Sequence, residues 1–303
     1  MTYITPPPSE AQPDTPQDTG PTVLDWQTMQ ELPPLEFLID NLLPQPGISI
    51  LVGHPKAGKS TLARALIAAT LGVSSIGEPR FLGRTVKNTG PVVLYAPDEA
   101  PQMAVEHFRG ILPKHTTGLH FVASRANLPQ LADIVEATAA RLLVVDTLGR
   151  LFQNHSFPDG DSYMAWQEHL DHIRSFAQNH DCHACLLHHA RKSGGDRSLA
   201  VLGSSAIAGA VDSVIEVSTE EDKTNPGQWI RFVSSAQRAG IDLPKQKLVL
   251  QGDGWIDTQE ITPDPQQIAI DEAKSLRKEG RHINDIAAQL GVNPRTIYRW
   301  VTS

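Results

Sequence analysis

From residue 53 the chain runs Gly53-His54-Pro55-Lys56-Ala57-Gly58-Lys59-Ser60, a complete match to G-x-x-x-x-G-K-[ST], and Thr61 follows. The chemistry of such a run is the holding of nucleotide phosphates. Its glycines let the backbone wrap closely, and its backbone N–H groups and the helix start behind them face the anion. Lys59 reaches the β- and γ-oxygens, and Ser60 can ligate Mg2+. Gly53 to Thr61 are therefore the expected nucleotide-binding residues, with His54 and Lys56 as accessory groups. No N-K-x-D motif, which would read guanine, occurs in the chain, so ATP with Mg2+ is the expected cofactor pair.

Carboxylates follow two apolar runs. Asp146 ends Leu142-Leu143-Val144-Val145, the place for an aspartate that holds Mg2+ or its water shell. An aspartate capping the next turn is the plainer reading of the same residue. After Val92 to Ala96 comes Pro97-Asp98-Glu99, which puts two carboxylates beside the same cleft, where Glu99 can orient or deprotonate an attacking water. Either could also cap a helix starting near Ala100.

A third run, His183 to Leu187, leads into His188-His189-Ala190-Arg191-Lys192 and on to Arg197 through two glycines. A polar residue at that strand end, His188, can sense the terminal phosphate, and a loop cation such as Arg197 can reach a neighbouring subunit's nucleotide. Otherwise the run is a solvated charged loop. Cys182, Cys185 and His188 have zinc-like spacing, but strand residues alternate between faces and do not converge on one metal, so the cysteines read as buried thiols.

These residues need a sheet to carry them. Ile48 to Val52, Val92 to Ala96, Leu142 to Val145 and His183 to Leu187 read as strands. Helical spacing covers Gly58 to Leu71, Ala100 to Leu112, Leu128 to Ala140 and Asp161 to His180. The alternation predicts an α/β fold with a mostly parallel sheet and its ligand at the carboxyl ends of the strands. Asp212 to Val217 and Trp229 to Ser235 then follow as strands without an intervening helix, which predicts an antiparallel edge. The expected division is an acidic, Pro-rich disordered tail over 1–34, the ATPase domain over 35–255, a linker over 256–263 and a small all-α module over 264–303.

That module reads as helix, turn, helix. Ile283, Ile286, Ala287 and Leu290 share one face, Gly291 permits the turn, Asn293-Pro294 starts the second helix, and Val292, Ile297 and Trp300 close a small core. If it enters the major groove of DNA, then Arg295, Thr296, Tyr298 and Arg299 face the bases. Docking on the ATPase domain or on a partner is the alternative.

Composition narrows the setting. The net charge of −8 is uneven: no Lys or Arg precedes Lys56, whereas Glu10, Asp14, Asp18, Asp25, Glu31, Glu36 and Asp40 all lie before it. The remainder is close to neutral and leaves room for a nucleic-acid partner. Met1 to Gly20 is Pro-rich and acidic with no basic start before an apolar run, so no secretory or transit signal is expected; with no apolar run long enough for a membrane and only two cysteines, a cytoplasmic protein is expected.

From about Leu35 to Val217 the chain resembles the RepA-like branch of RecA-type ATPases, which includes plasmid-encoded hexameric replicative helicases. The resemblance rests on Gly53 to Ser60, Tyr95 to Glu99, Val144 to Leu148, Leu187 to Lys192 and Gly203 to Asp212. It implies a RecA-like core, Glu99 as catalytic glutamate, Asp146 as the Walker B residue, His188-His189 as the sensor region, DNA as partner, and a homo-oligomer that can be a hexameric ring. One position departs: where such helicases can carry an arginine finger before Gly-Ser-Ser, this chain has Leu202, with Arg197 or Arg238 as substitutes. The last forty residues resemble helix-turn-helix modules of resolvases and transposases. Three functions share this core: a DNA helicase or replication ATPase, an ATP-switched DNA-binding regulator or loader, and a recombinase.

Overall fold

A strand without polar interruptions is stable only where both of its faces are covered, and the centre of this protein is built from such strands. The computed structural model describes residues 23–74, 77–152, 163–189, 209–222, 225–250, 256–260 and 265–302. The chain forms two compact units, Met1–Leu35 and Glu36–Ser303.

The first unit contributes one described element, α1 (Trp26–Gln30), capped by Asp25, whose side chain accepts from the Thr28 N–H at 2.8 Å. The expected disordered tail therefore holds a helical turn over part of 23–34, because Asp25 offers a local cap that composition does not weigh. Residues 1–22 lie outside the described residues.

In the second unit, β1 (Phe37–Ile39) pairs with β2 (Leu43–Pro44), and β3 (Gly47–Gly53) leads through the phosphate loop into α2 (Lys59–Thr70). A small pair, β4 (Arg80–Phe81) and β5 (Arg84–Thr85), precedes β6 (Val92–Tyr95), α3 (Pro101–Phe108), β7 (Leu119–Val122) and α4 (Leu128–Thr138). Then come β8 (Leu142–Val145), α5 (Leu148–Leu151), α6 (Tyr163–Asn179), β9 (His183–His189) and the strands β10 (Ser213–Glu221), β11 (Trp229–Gln237), β12 (Leu243–Leu250) and β13 (Ile256–Glu260).

Nine strands form one sheet in the order β13-β12-β11-β10-β3-β9-β8-β6-β7. From β10 to β7 all neighbours are parallel, and from β10 outward through β13 they are antiparallel. Helices cover both faces, as right-handed crossovers between parallel strands require. One core holds Leu51, Leu94, Leu142, Val144, Cys185 and Leu187 against α2, and the other holds Ile50, Val93, Leu143, Val145, Ala184 and Leu186 against α4 and α6.

The structure bears out the mostly parallel α/β sheet and its antiparallel edge, and adds what the sequence reading lacked. Between the two helices expected at 100–140 lies the edge strand β7, half-buried along its length, whose short Leu-His-Phe-Val run carries little pattern of its own. The helix expected to reach Leu112 ends at Phe108. The sheet runs on to Glu260, so the expected linker at 256–263 begins inside a strand: Ile256-Asp-Thr-Gln-Glu260 joins through backbone pairing with β12, which polar side chains do not advertise.

At the carboxyl end α7 (Pro265–Lys278), α8 (Ile283–Leu290) and α9 (Pro294–Thr302) close on a small core of Ala273, Ile286, Ala287, Ile297 and Trp300. Gly291 turns the chain at φ 66°, and the Asn293 side chain caps α9 by accepting from the Arg295 N–H at 2.9 Å. No helix among the described residues is long and apolar enough to cross a membrane.

Asp212 fixes the entry of β10 beside β3. Its carboxylate accepts from the Ile48 N–H and from Arg174 of α6, both at 2.9 Å. Replacing it strands a backbone donor and a guanidinium together. Asp212→Ala is expected to lower unfolding free energy by about 3 kcal/mol, read as a lower denaturant midpoint at unchanged slope.

Candidate nucleotide site

The loop's shape is set by two close approaches. A Cβ at Gly53 would lie 2.4 Å from the Val217 carbonyl oxygen, so only glycine lets β3 run this close to β10 where the loop begins. Within the loop Lys56 (φ 66°) and Gly58 (φ 108°) take left-handed backbone, which costs glycine little and Lys56 more. His54, Pro55 and Lys56 form the exposed crest, and Ala57 is buried beneath it. No side chain caps α2, so its first N–H groups face the loop's concavity, as an anion requires.

Strand alternation then decides which polar residues meet the loop. In β8, Leu142 and Val144 enter the α2-side core, so Asp146, next in that series, emerges on the same side. Its Oδ2 accepts from Ser60 Oγ at 2.9 Å. In β9 the α2-side series is Cys185, Leu187, His189, and His189 Nδ1 lies 3.2 Å from Lys59 Nζ. His188 belongs to the other series; its ring stands 5.7 Å from Trp166 of α6. Of the two histidines expected in the sensor region, the structure therefore brings His189 to the phosphate loop and turns His188 toward α6, for a reason of parity. Cys182 and Cys185 fall into different cores, and burial pushes their thiols up to about 12 and about 11.

Lys59 is almost fully buried and spends its three donors on the Gly53 carbonyl (2.8 Å), the His54 carbonyl (3.0 Å) and His189. Burial lowers its pKa, with Asp146 pulling the other way. His189 is pushed down by burial and by Lys59, consistent with a neutral ring accepting through Nδ1. Asp146 is pushed up, chiefly by burial, against the opposing bond from Ser60.

Glu99 sits on the loop after β6, and His107 Nδ1 stands 2.5 Å from its Oε1. Arg64 stands 3.1 Å from the same ring nitrogen and 3.9 Å from Glu99, so a carboxylate, an imidazole and a guanidinium meet beside α2. Asp98, the other carboxylate of the pair, faces outward in an ion pair with Arg150. Sequence reasoning missed Arg64 and His107. Arg64 had a signal, being one helical turn beyond Ser60 and so on the same face of α2.

A cavity of about 830 Å3 joins these groups: Lys56, Gly58, Lys59, Ser60, Thr61, Arg64, His107, Asp146 and His189 on the loop side, with Trp229, Arg231, Leu248, Leu250 and Ile256 among those opposite. The Ser60 hydroxyl and Asp146 carboxylate are hard oxygen donors at the phosphate end, a pair that fits Mg2+, which keeps its remaining positions for phosphate and water. Arg197 and the Gly203-Ser204-Ser205 run lie outside the described residues. Arg238 donates to the Gly209 carbonyl and borders a separate cavity. In the carboxyl-terminal helices Arg295, Tyr298 and Arg299 are exposed and Thr296 is half-buried.

A phosphate loop between a buried strand and a helix, with an aspartate at the end of a neighbouring strand, defines a P-loop nucleotide hydrolase on a RecA-like core. The sequence profile of the AAA domain family matches residues 11–195, over half of the chain, and the chain belongs to that family. It is a P-loop ATPase. Among solved structures, the KaiC-like protein PH0186 from the hyperthermophilic archaeon Pyrococcus horikoshii OT3 shares the fold at a TM-score of 0.52 and 14% identity, over 75% of this chain and 100% of that one. No curated protein matches the chain closely.

The shift at Asp146 has a stability consequence. A carboxyl whose folded pKa lies above its unfolded one supports the fold below the unfolded value, and that support is lost as pH rises through the folded value. Asp146→Asn is therefore expected to raise the melting temperature of the nucleotide-free protein at pH 7, with the gain vanishing as pH falls toward 3.8, the ordinary carboxyl value. The same variant is expected to lose on the order of 100-fold in Mg2+-dependent hydrolysis.

Proposed function

We propose that this ATPase works on DNA, hydrolysing ATP with Mg2+ in the manner of a RepA-like helicase or replication ATPase. The observation that carries the DNA half is α9. Ile297 and Trp300 are buried in the small core, while Arg295, Tyr298 and Arg299 face solvent from the same helix, the two-sided arrangement by which the second helix of a helix-turn-helix packs and reads. In the hydrolytic half, Lys59 and the loop bind phosphates, Ser60 and Asp146 would hold Mg2+, and Glu99 directs the attacking water. When bound, Mg2+ supplies neutralisation of the phosphate charge that develops during transfer.

A second reading shares every one of these residues: a regulator or loader that uses ATP to switch DNA binding and does not unwind. It is favoured by the same helices, since a base-reading module serves a site-directed protein better than a processive one. Strand displacement on forked DNA, run beside ATPase assays with single-stranded and duplex DNA and native mass for the assembly, separates the two.

Two outcomes are expected. Glu99→Gln lowers hydrolysis by roughly 100- to 10,000-fold while ATP still binds, and hydrolysis at the parental rate would remove Glu99 from its role. Arg295→Ala combined with Arg299→Ala weakens duplex binding at low salt by about 10-fold or more; binding at parental strength would detach α9 from DNA.

A further inference from the structure

The register of the sheet places one arginine over the phosphate loop. Gly53 of β3 lies opposite Val217 of β10, which lies opposite Val233 of β11. Two residues outward the row reads Thr219, Arg231, Leu248, and β3 has no residue in it because the chain has already turned into the loop. Side chains two apart on a strand share a face, so Arg231 leaves β11 on the side of Val233 and Val217, which belong to the α2-side core.

There it meets the loop. A Cβ at Gly58 would lie 3.3 Å from Arg231 Cδ and 3.4 Å from its Nε. The arginine stem therefore rests on the glycine that opens α2, with its guanidinium bordering the same cavity as Lys59, Ser60 and Asp146. Lys59 is held by the loop and His189, and Arg64 lies beside Glu99. The Arg231 side chain has no hydrogen bond or ion pair among the described residues.

We infer that Arg231 binds the phosphates of the nucleotide held by its own chain, so that the outer cation of the site comes in cis from the antiparallel extension. A planar guanidinium with parallel donors suits phosphate oxygens, and its stem is already seated where they must come. The inference rests on the nucleotide-site reading and deepens it. It also bears on the arginine missing before Gly203: the described cation over the loop is neither of the two substitutes raised by the sequence.

The test uses the full-length protein and competition by ATP and ADP against a fluorescent ATP analogue. Loss of binding in Lys59→Ala checks the loop itself; ATP bound equally well by that variant would overturn the loop reading, whatever Arg231 does. Arg231→Met keeps the stem on Gly58 and removes the charge, and is expected to weaken ATP binding by about 10- to 100-fold. Arg231→Lys, which keeps charge without the fork, is expected to fall between it and the parent. Parental affinity in Arg231→Met overturns the inference. Co-expression of Arg231→Met with Lys59→Ala separates cis from trans: under the inference no site in a mixed assembly is complete and hydrolysis stays at the sum of the two variants. A gain on mixing would assign Arg231 to the neighbour's nucleotide and overturn the cis assignment.

Discussion

The site depends on a sheet buried on both faces. Because β3, β8 and β9 send alternate residues into two separate cores, none of them can slip by one position without exchanging every side chain between the cores. That lock fixes which residue of each strand's end emerges beside α2: Gly53 from β3, Asp146 after β8 and His189 from β9. The chemistry is thus positioned by the packing of Leu51, Val144 and Leu187, core residues that do not line the cavity. The crossover order completes the arrangement, since β3, β9 and β8 are consecutive neighbours and their ends form one continuous edge.

The site sets its own charged groups in an electrostatically unfavourable setting. Burial acts against the charge on both Lys59 and Asp146, and the protein meets this with internal bonds: backbone carbonyls and His189 for the ammonium, Ser60 for the carboxylate. Phosphate and Mg2+ would take over those contacts with stronger charges, so the groups whose burial opposes their charge are those that gain most from the ligand. Function is here stored as local instability, as is common where a site must be ready before its ligand arrives.

The legible part of the fold in the sequence was the part whose signal is local. The loop, α2, β8 and the start of α9 each carry a short pattern that names its own conformation, and the structure has them at or within a residue or two of the expected bounds. Asp25 was also a local signal, overlooked because the composition around it is that of a disordered tail. What could not be read is set by pairing. β13 is a strand because β12 lies beside it, and Arg231 reaches the loop because Val217 fixes the register of β11 against β3. His189 is intermediate: parity from Leu187 points to it, but only once the face of α2 is known. Arg64 was available from helix spacing alone and shows that a motif's next turn belongs to its site.

Charge makes the same point about scale. The chain as a whole is acidic, yet five cations, Lys56, Lys59, Arg64, Arg231 and Lys247, border the cavity against two carboxylates, Asp146 and Asp222. A polyanion approaching this mouth meets a field of sign opposite to that of the protein's sum, in a concavity whose low-dielectric walls strengthen it. Three of the five cations come from the loop and α2, and two from the antiparallel strands β11 and β12. The extension that closes the sheet's β10 edge therefore also supplies part of the field that draws phosphate in, and the two tasks fall to the same strands.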